Sequence, residues 1–126
     1  MKKIGILFTS RNNYESLQYW IDNVDTEGFQ ILNIDEDSDE ENKKIGKEVC
    51  EKNNIIYMDR EDRGMQNNIT TASKHFTSKN IDWIIWFQHD CFPSTKNFFS
   101  KLNDLLLKGT LNEFGVVGFN VLHDGV

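Results

Sequence analysis

The chain has 126 residues, 38 % hydrophobic and 27 % charged, which fits one compact domain and excludes a disordered tail or a multidomain enzyme. Fourteen Lys and Arg against 20 Asp and Glu leave a formal net charge of −6, so no global basic field exists to hold a nucleic-acid backbone or an anionic membrane. The longest apolar run falls far short of the ~18 residues of a membrane span. The apolar stretch after Met1-Lys2-Lys3 is too short for a signal-peptide core, and Cys50 and Cys91 are the only cysteines; a reduced, cytoplasmic setting with unpaired thiols is expected.

Short runs rich in Ile, Val, Phe and Trp alternate with stretches of helical spacing, which predicts an α/β fold with an open, mainly parallel β-sheet flanked by helices. The first run covers 4–8, and behind it Tyr14, Leu17, Trp20 and Ile21 share a helical face that should end near Asn23. The second, 29–34, leads through an acidic loop to a helix with Ser38 as N-cap and Ile45, Val49 and Cys50 inward. The third, 55–58, precedes the polar loop Asp59-Arg60-Glu61-Asp62-Arg63-Gly64 and a helix bearing Met65, Ile69, Ala72 and Phe76. The fourth, 83–87, is the most apolar and reads as the central strand. Beyond it, a helix capped by Ser94 or Thr95 should present Phe98, Phe99, Leu102, Leu105 and Leu106 and close at Gly109. Residues 116–121 would be a fifth strand, giving a single domain over 1–126 without repeats or linkers. The stop at Val126, directly after an apolar segment, predicts truncation from a longer protein.

In open α/β sheets the ligand crevice lies beyond the carboxyl ends of the strands. Here those positions are polar: Thr9-Ser10-Arg11-Asn12, then 35–39, then 59–63, then Gln88-His89-Asp90. Four converging strand ends would gather hydroxyl, carboxylate, guanidinium and imidazole groups around one cleft. Neither a G-x-x-x-x-G-K-[ST] loop nor a G-x-G-x-x-G turn is present, which argues against triphosphate-loop and classical NAD sites. A phospho-acceptor domain would want paired acids after the first strand, where Thr9-Ser10 stand, and a Lys after the fifth, where Asn120 stands. Asp35, Asp37 and Asp39 begin like a calcium loop, but Glu40 and Gly46 occupy the positions that need Gly and Glu. Most of that acidic run reads as a solvated helix start, with one or two acids free to face the cleft.

Asp90 closes the most apolar strand, and two readings stand: a carboxylate that bridges a hard divalent cation to a diphosphate, or a turn cap beside an exposed His89. Cys91 has no second Cys at ligand spacing, which argues against zinc or thiol chemistry. Arg63-Gly64 opens a helix, so Arg63 either meets an anion at that helix start or pairs with Asp59 or Asp62. His75 and His123 are isolated, and Trp20, Trp83 and Trp86 read as core.

The first run with Thr9-Ser10-Arg11-Asn12, the segment Ile34-Asp35-Glu36-Asp37-Ser38-Asp39, Arg63-Gly64 with Asn67 or Asn68, and Trp86-Phe87-Gln88-His89-Asp90-Cys91-Phe92-Pro93 occur in an informative order. Together they resemble the nucleotide-binding half of family 2, GT-A-type glycosyltransferases, over almost the whole chain. The resemblance implies a GT-A, Rossmann-like half that binds a nucleotide-diphosphate sugar, UDP-linked, for transfer to an acceptor. It implies that Thr9 and Asp35 or Glu36 contact base or ribose, that Arg63 lies near base or diphosphate, and that Gln88 and His89 line the donor. Asp90 would then bind Mn²⁺ or Mg²⁺. The chain departs from the Asp-x-Asp motif at Gln88, and an amide is a poorer metal ligand than a carboxylate.

In that family the acceptor half and general base lie beyond the fifth strand, so the 126 residues alone are expected to bind nucleotide without turnover, and no catalytic residue is assigned; Asp124 stands too near the end to judge. The alternatives are a non-catalytic nucleotide-sugar or regulatory module and, on a related sheet, a nucleotidyltransferase, although its Gly-rich basic first loop is absent. Apolar surface at a truncated edge would pair with a second copy, so a homodimer is expected.

Overall fold

A computed structural model describes residues 3–62, 64–88 and 91–116. Among them the elements are β1 (Ile4–Ser10), α1 (Tyr14–Asn23), β2 (Gln30–Glu36), α2 (Glu40–Lys52), β3 (Ile56–Arg60), α3 (Met65–Thr77), β4 (Trp83–Gln88) and α4 (Phe98–Leu107). The strands form one parallel sheet in the order β3-β2-β1-β4. This is the open α/β, Rossmann-like architecture that the alternating runs predict.

Side chains along β1 alternate between two apolar layers, as a two-sided strand requires. Ile4, Ile6 and Phe8 join Leu17 and Trp20 of α1, Cys50 of α2 and Phe99, Leu102 and Leu106 of α4. Leu7 faces the opposite way, with Leu32, Ile34, and Ala72 and Phe76 of α3. Right-handed crossovers explain this division. The chain steps from β1 to β2 to β3 in one direction, with α1 and α2 on one face. It then reverses past β1 to reach β4, which puts α3 on the other face. Gly5 permits that packing, because a Cβ there would lie 2.4 Å from the Phe76 ring.

Several sequence expectations change. Among the described residues, β1 and β2 have strands on both sides and β4 on one, and Trp83, Ile84 and Trp86 of β4 are half-buried. The fifth-strand expectation lies, from 117 on, outside the described residues. β2 and β3 run on to Glu36 and Arg60, because parallel pairing of Asp35 with Asp59 and Glu36 with Arg60 continues the ladder into the polar segments. Asp39, whose side chain accepts from Asn42 N, caps α2 in place of Ser38. Ile45, Met65, Ile69 and Leu105 are exposed, and the inward positions of α2 and α3 are taken by Gly46, Cys50, Asn68, Ala72 and Phe76. The last helix begins at Phe98 after Asn97, not at Ser94 or Thr95. Gly109 does close it, at φ 76°, with its N–H donating to Leu106 O. No described helix is long and apolar enough to cross a membrane.

Candidate functional site at the strand ends

Strand order reverses between β1 and β4, and the carboxyl ends of those strands define the crevice where open α/β sheets take ligands. Register sets the rim. Thr9 pairs with Gln88 on one side and Ile34 on the other, Ser10 with Asp35, and Glu36 with Arg60. The described ends of the four strands therefore lie side by side along one edge of the sheet.

Thr9 is 3 % exposed, and its Oγ1 accepts from Trp86 Nε1 at 3.0 Å. Gln88 is exposed and Glu36 half-buried at the rim. Asp35 sits deeper, with no exposure, and both its oxygens are engaged: Oδ2 accepts from the Tyr14 hydroxyl at 2.5 Å and Oδ1 from Ser38 N at 2.8 Å. Arg63, His89 and Asp90 lie outside the described residues.

Asp35 belongs to a polar chain that ties the first two loops together. Ser10 Oγ donates to Asn33 Oδ1 at 2.7 Å, and Asn33 Nδ2 donates to the Tyr14 hydroxyl at 3.2 Å. From Ser38 the chain continues, as its Oγ accepts from Asn12 N and Asn12 Oδ1 accepts from Asp39 N, both at 2.9 Å. Asn12 and Asp37 hold left-handed backbone at φ 51° and 61°. Such conformations cost a non-glycine residue energy and persist where the surroundings over-determine them, as this network does. Burial, with Asp35 adding to it, pushes the Tyr14 hydroxyl well above its ordinary pKa, so it remains a donor at any physiological pH. Burial likewise pushes the Cys50 thiol up to about 12, which leaves it inert.

Beside α3, the Arg60 guanidinium grips Asp62 through Nε at 3.1 Å and through a second nitrogen at 2.8 Å. Its remaining nitrogen donates to Asn67 O at 2.8 Å and to Thr71 Oγ1. Arg60 hydrogen-bonding holds the Asp62 carboxyl below its usual range. Asn68, one turn into α3, is 1 % exposed, and neither polar atom of its amide has a hydrogen-bond partner among the described residues. It shares the helix face of Ala72 and Phe76, and Phe76 meets Gly5 near the start of β1, so Asn68 lies toward the strand ends on the sheet face that carries Thr9. A buried amide without partners is energetically costly.

Sequence reasoning placed Tyr14 and Trp86 in the core, named Asn68 only as an alternative beside Arg63-Gly64 without a role, and missed Asn33. The signals were a polar Asn inside an apolar run and another within an apolar helical stripe. A cavity of about 610 Å³ lies elsewhere, along β4 between Ile69 of α3 and Leu102 and Leu106 of α4. Its lining is mostly apolar, and among the described residues it gathers no cluster of reactive groups. The strand ends, where the polar groups gather, make the stronger site.

No family model matches the chain, and neither does any curated protein sequence. Among solved structures, a cytidylyltransferase from Leptospira borgpetersenii serovar Hardjo-bovis matches with a TM-score of 0.60 at 20 % identity. What the two proteins share is the fold. The match covers 91 % of this chain and 51 % of the cytidylyltransferase, so the chain spans about half that protein's length.

Proposed function

We propose that the chain is the nucleotide-diphosphate-sugar-binding half of a GT-A-type glycosyltransferase, with the donor seated at the β1–β4 strand ends. One observation carries the reading: the reversal of strand order sets Thr9 beside Gln88 at the mouth of the sheet, where α/β folds bind nucleotides. Thr9, Glu36 and Gln88 would meet base and ribose, and the unpartnered Asn68 amide would gain the partner it lacks. Asp35 would act through the loop it pins, via Ser38 and Asn12. Arg63 and His89 would complete the donor side, opposite an acceptor of unassigned chemistry.

Among the described residues no group of three His, Cys, Asp or Glu comes together. If a divalent cation, Mn²⁺ or Mg²⁺, assists, Asp90 would be the residue to hold it. Bound there, it would supply Lewis-acid neutralisation of the departing nucleotide.

Calorimetric titration with UDP, with and without Mn²⁺, tests this. Metal-dependent binding that Asp90→Ala abolishes is the expected result. Metal-independent binding would favour a non-catalytic nucleotide-sugar or regulatory module, and failure to bind any nucleotide overturns both. The fold match to a cytidylyltransferase favours one further reading, nucleotidyl transfer. It predicts binding of CTP in preference to UDP and release of pyrophosphate when a sugar phosphate is added.

A further inference from the structure

The Trp86 indole crosses from β4 to β1. Trp86 is in register with Leu7, and Thr9 with Gln88, so the Nε1–H···Oγ1 bond to Thr9 runs diagonally, two residues along the neighbouring strand. An indole N–H can only donate, whereas a threonine hydroxyl carries one proton and two lone pairs. Thr9 Oγ1 must therefore accept from Trp86, which aims its own proton elsewhere. Among the described residues no acceptor receives that proton. Trp86 packs, partly buried, against the apolar cluster of Leu7, Leu32, Ile34, Ala72 and Phe76, so the donor arrives from a packed wall and costs little to order.

We propose that Trp86 is a positioning residue that presets the Thr9 hydroxyl as a hydrogen-bond donor to an acceptor oxygen of the bound nucleotide. The inference rests on the nucleotide-site reading above and goes beyond it, because it assigns polarity: at Thr9 the ligand presents an oxygen with a free lone pair, and a group presenting N–H there is rejected. A base carbonyl and a phosphate oxygen share this chemistry.

The test uses the full 126-residue chain and three probes, UDP, uridine and inorganic pyrophosphate, titrated calorimetrically. Trp86→Phe keeps an aromatic ring and removes the N–H; affinity for UDP should fall about three- to tenfold, the worth of one oriented hydrogen bond. Thr9→Val should fall similarly. Trp86→Phe placed on Thr9→Val should add nothing, because the indole would act only through the hydroxyl. Whichever of uridine and pyrophosphate weakens alongside UDP identifies the oxygen. Unchanged UDP affinity in Trp86→Phe, or losses that simply add, overturns this proposal while leaving the nucleotide site intact. Absence of wild-type binding to all three probes overturns both. Should Trp86→Phe fail to fold, the Trp86 indole N–H resonance of the wild-type chain decides: it should shift when UDP is added, and an unmoved resonance in a chain that binds UDP overturns the proposal.

Discussion

The Tyr14 hydroxyl donates to Asp35 Oδ2 at 2.5 Å, joining the first turn of α1 to the end of β2 beneath the strand-end crevice. The Tyr14 hydroxyl oxygen also accepts from Asn33 Nδ2, so that one hydroxyl links α1, the middle of β2 and the acidic loop. Tyr14→Phe removes it, leaving Asp35 Oδ2 and the Asn33 amide short of a partner in a buried setting. Stability should fall by about 1–3 kcal/mol, the desolvation cost of groups left unpaired, read as a lowered urea midpoint at unchanged slope.

Gly46 of α2 is what lets the Tyr14 ring reach that position. A Cβ at residue 46 would stand 2.3 Å from the ring, and both partners sit in regular, packed elements. Gly46→Ala should therefore destabilise the fold by about 1–3 kcal/mol despite alanine's better helix propensity. Pairing it with Tyr14→Leu should recover part of that loss, whereas independent, additive losses in thermal melts would show that the ring is not the obstacle.

Asn68 sets stability against binding. Its amide is buried with neither donor nor acceptor used among the described residues, so Asn68→Leu, of similar size and without polar atoms, should raise the melting temperature of the ligand-free chain. If the amide completes a nucleotide site, the same variant should weaken UDP binding, and differential scanning fluorimetry with and without UDP would show both effects together.

His75 carries the pH dependence that the structure makes explicit. Burial, reinforced by Lys79, holds its imidazole below the ordinary 6.5. As pH falls below about 6.5, the unfolded chain takes up a proton that the folded chain resists, so stability is full above that pH and declines through the folded value. In His75→Leu the decline between about pH 7 and 5 should flatten, measured by urea unfolding across that range.

The alternation of apolar runs and helical stripes was enough to predict the α/β class, the parallel sheet and the polarity of its carboxyl edge. Those features depend on local period and on sterics that act the same way in every such chain. The α1 stripe of Tyr14, Leu17 and Trp20 survived intact because one face of that helix is buried along its length.

What local pattern left undecided was which side chain does what. Asp35 reads in sequence as one acid among several, yet it lies fully buried and pinned by Tyr14 and Ser38, while Glu36 remains at the rim. Tyr14 and Trp86 read as core aromatics, and only the pairing of β1 with β4 and the seating of α1 on β2 show that each carries one polar atom to a particular partner. Such bonds join residues 21 and 77 positions apart, and contacts at that separation leave no periodic trace along the chain. The amino-acid sequence by itself determined the fold class and the edge of the sheet at which chemistry can occur. Tertiary structure decided which polar groups at that edge are spent on holding the loops and which, at Thr9, Gln88 and Asn68, keep hydrogen-bonding capacity that no described residue uses, because hydrogen-bond satisfaction is settled by distance in space.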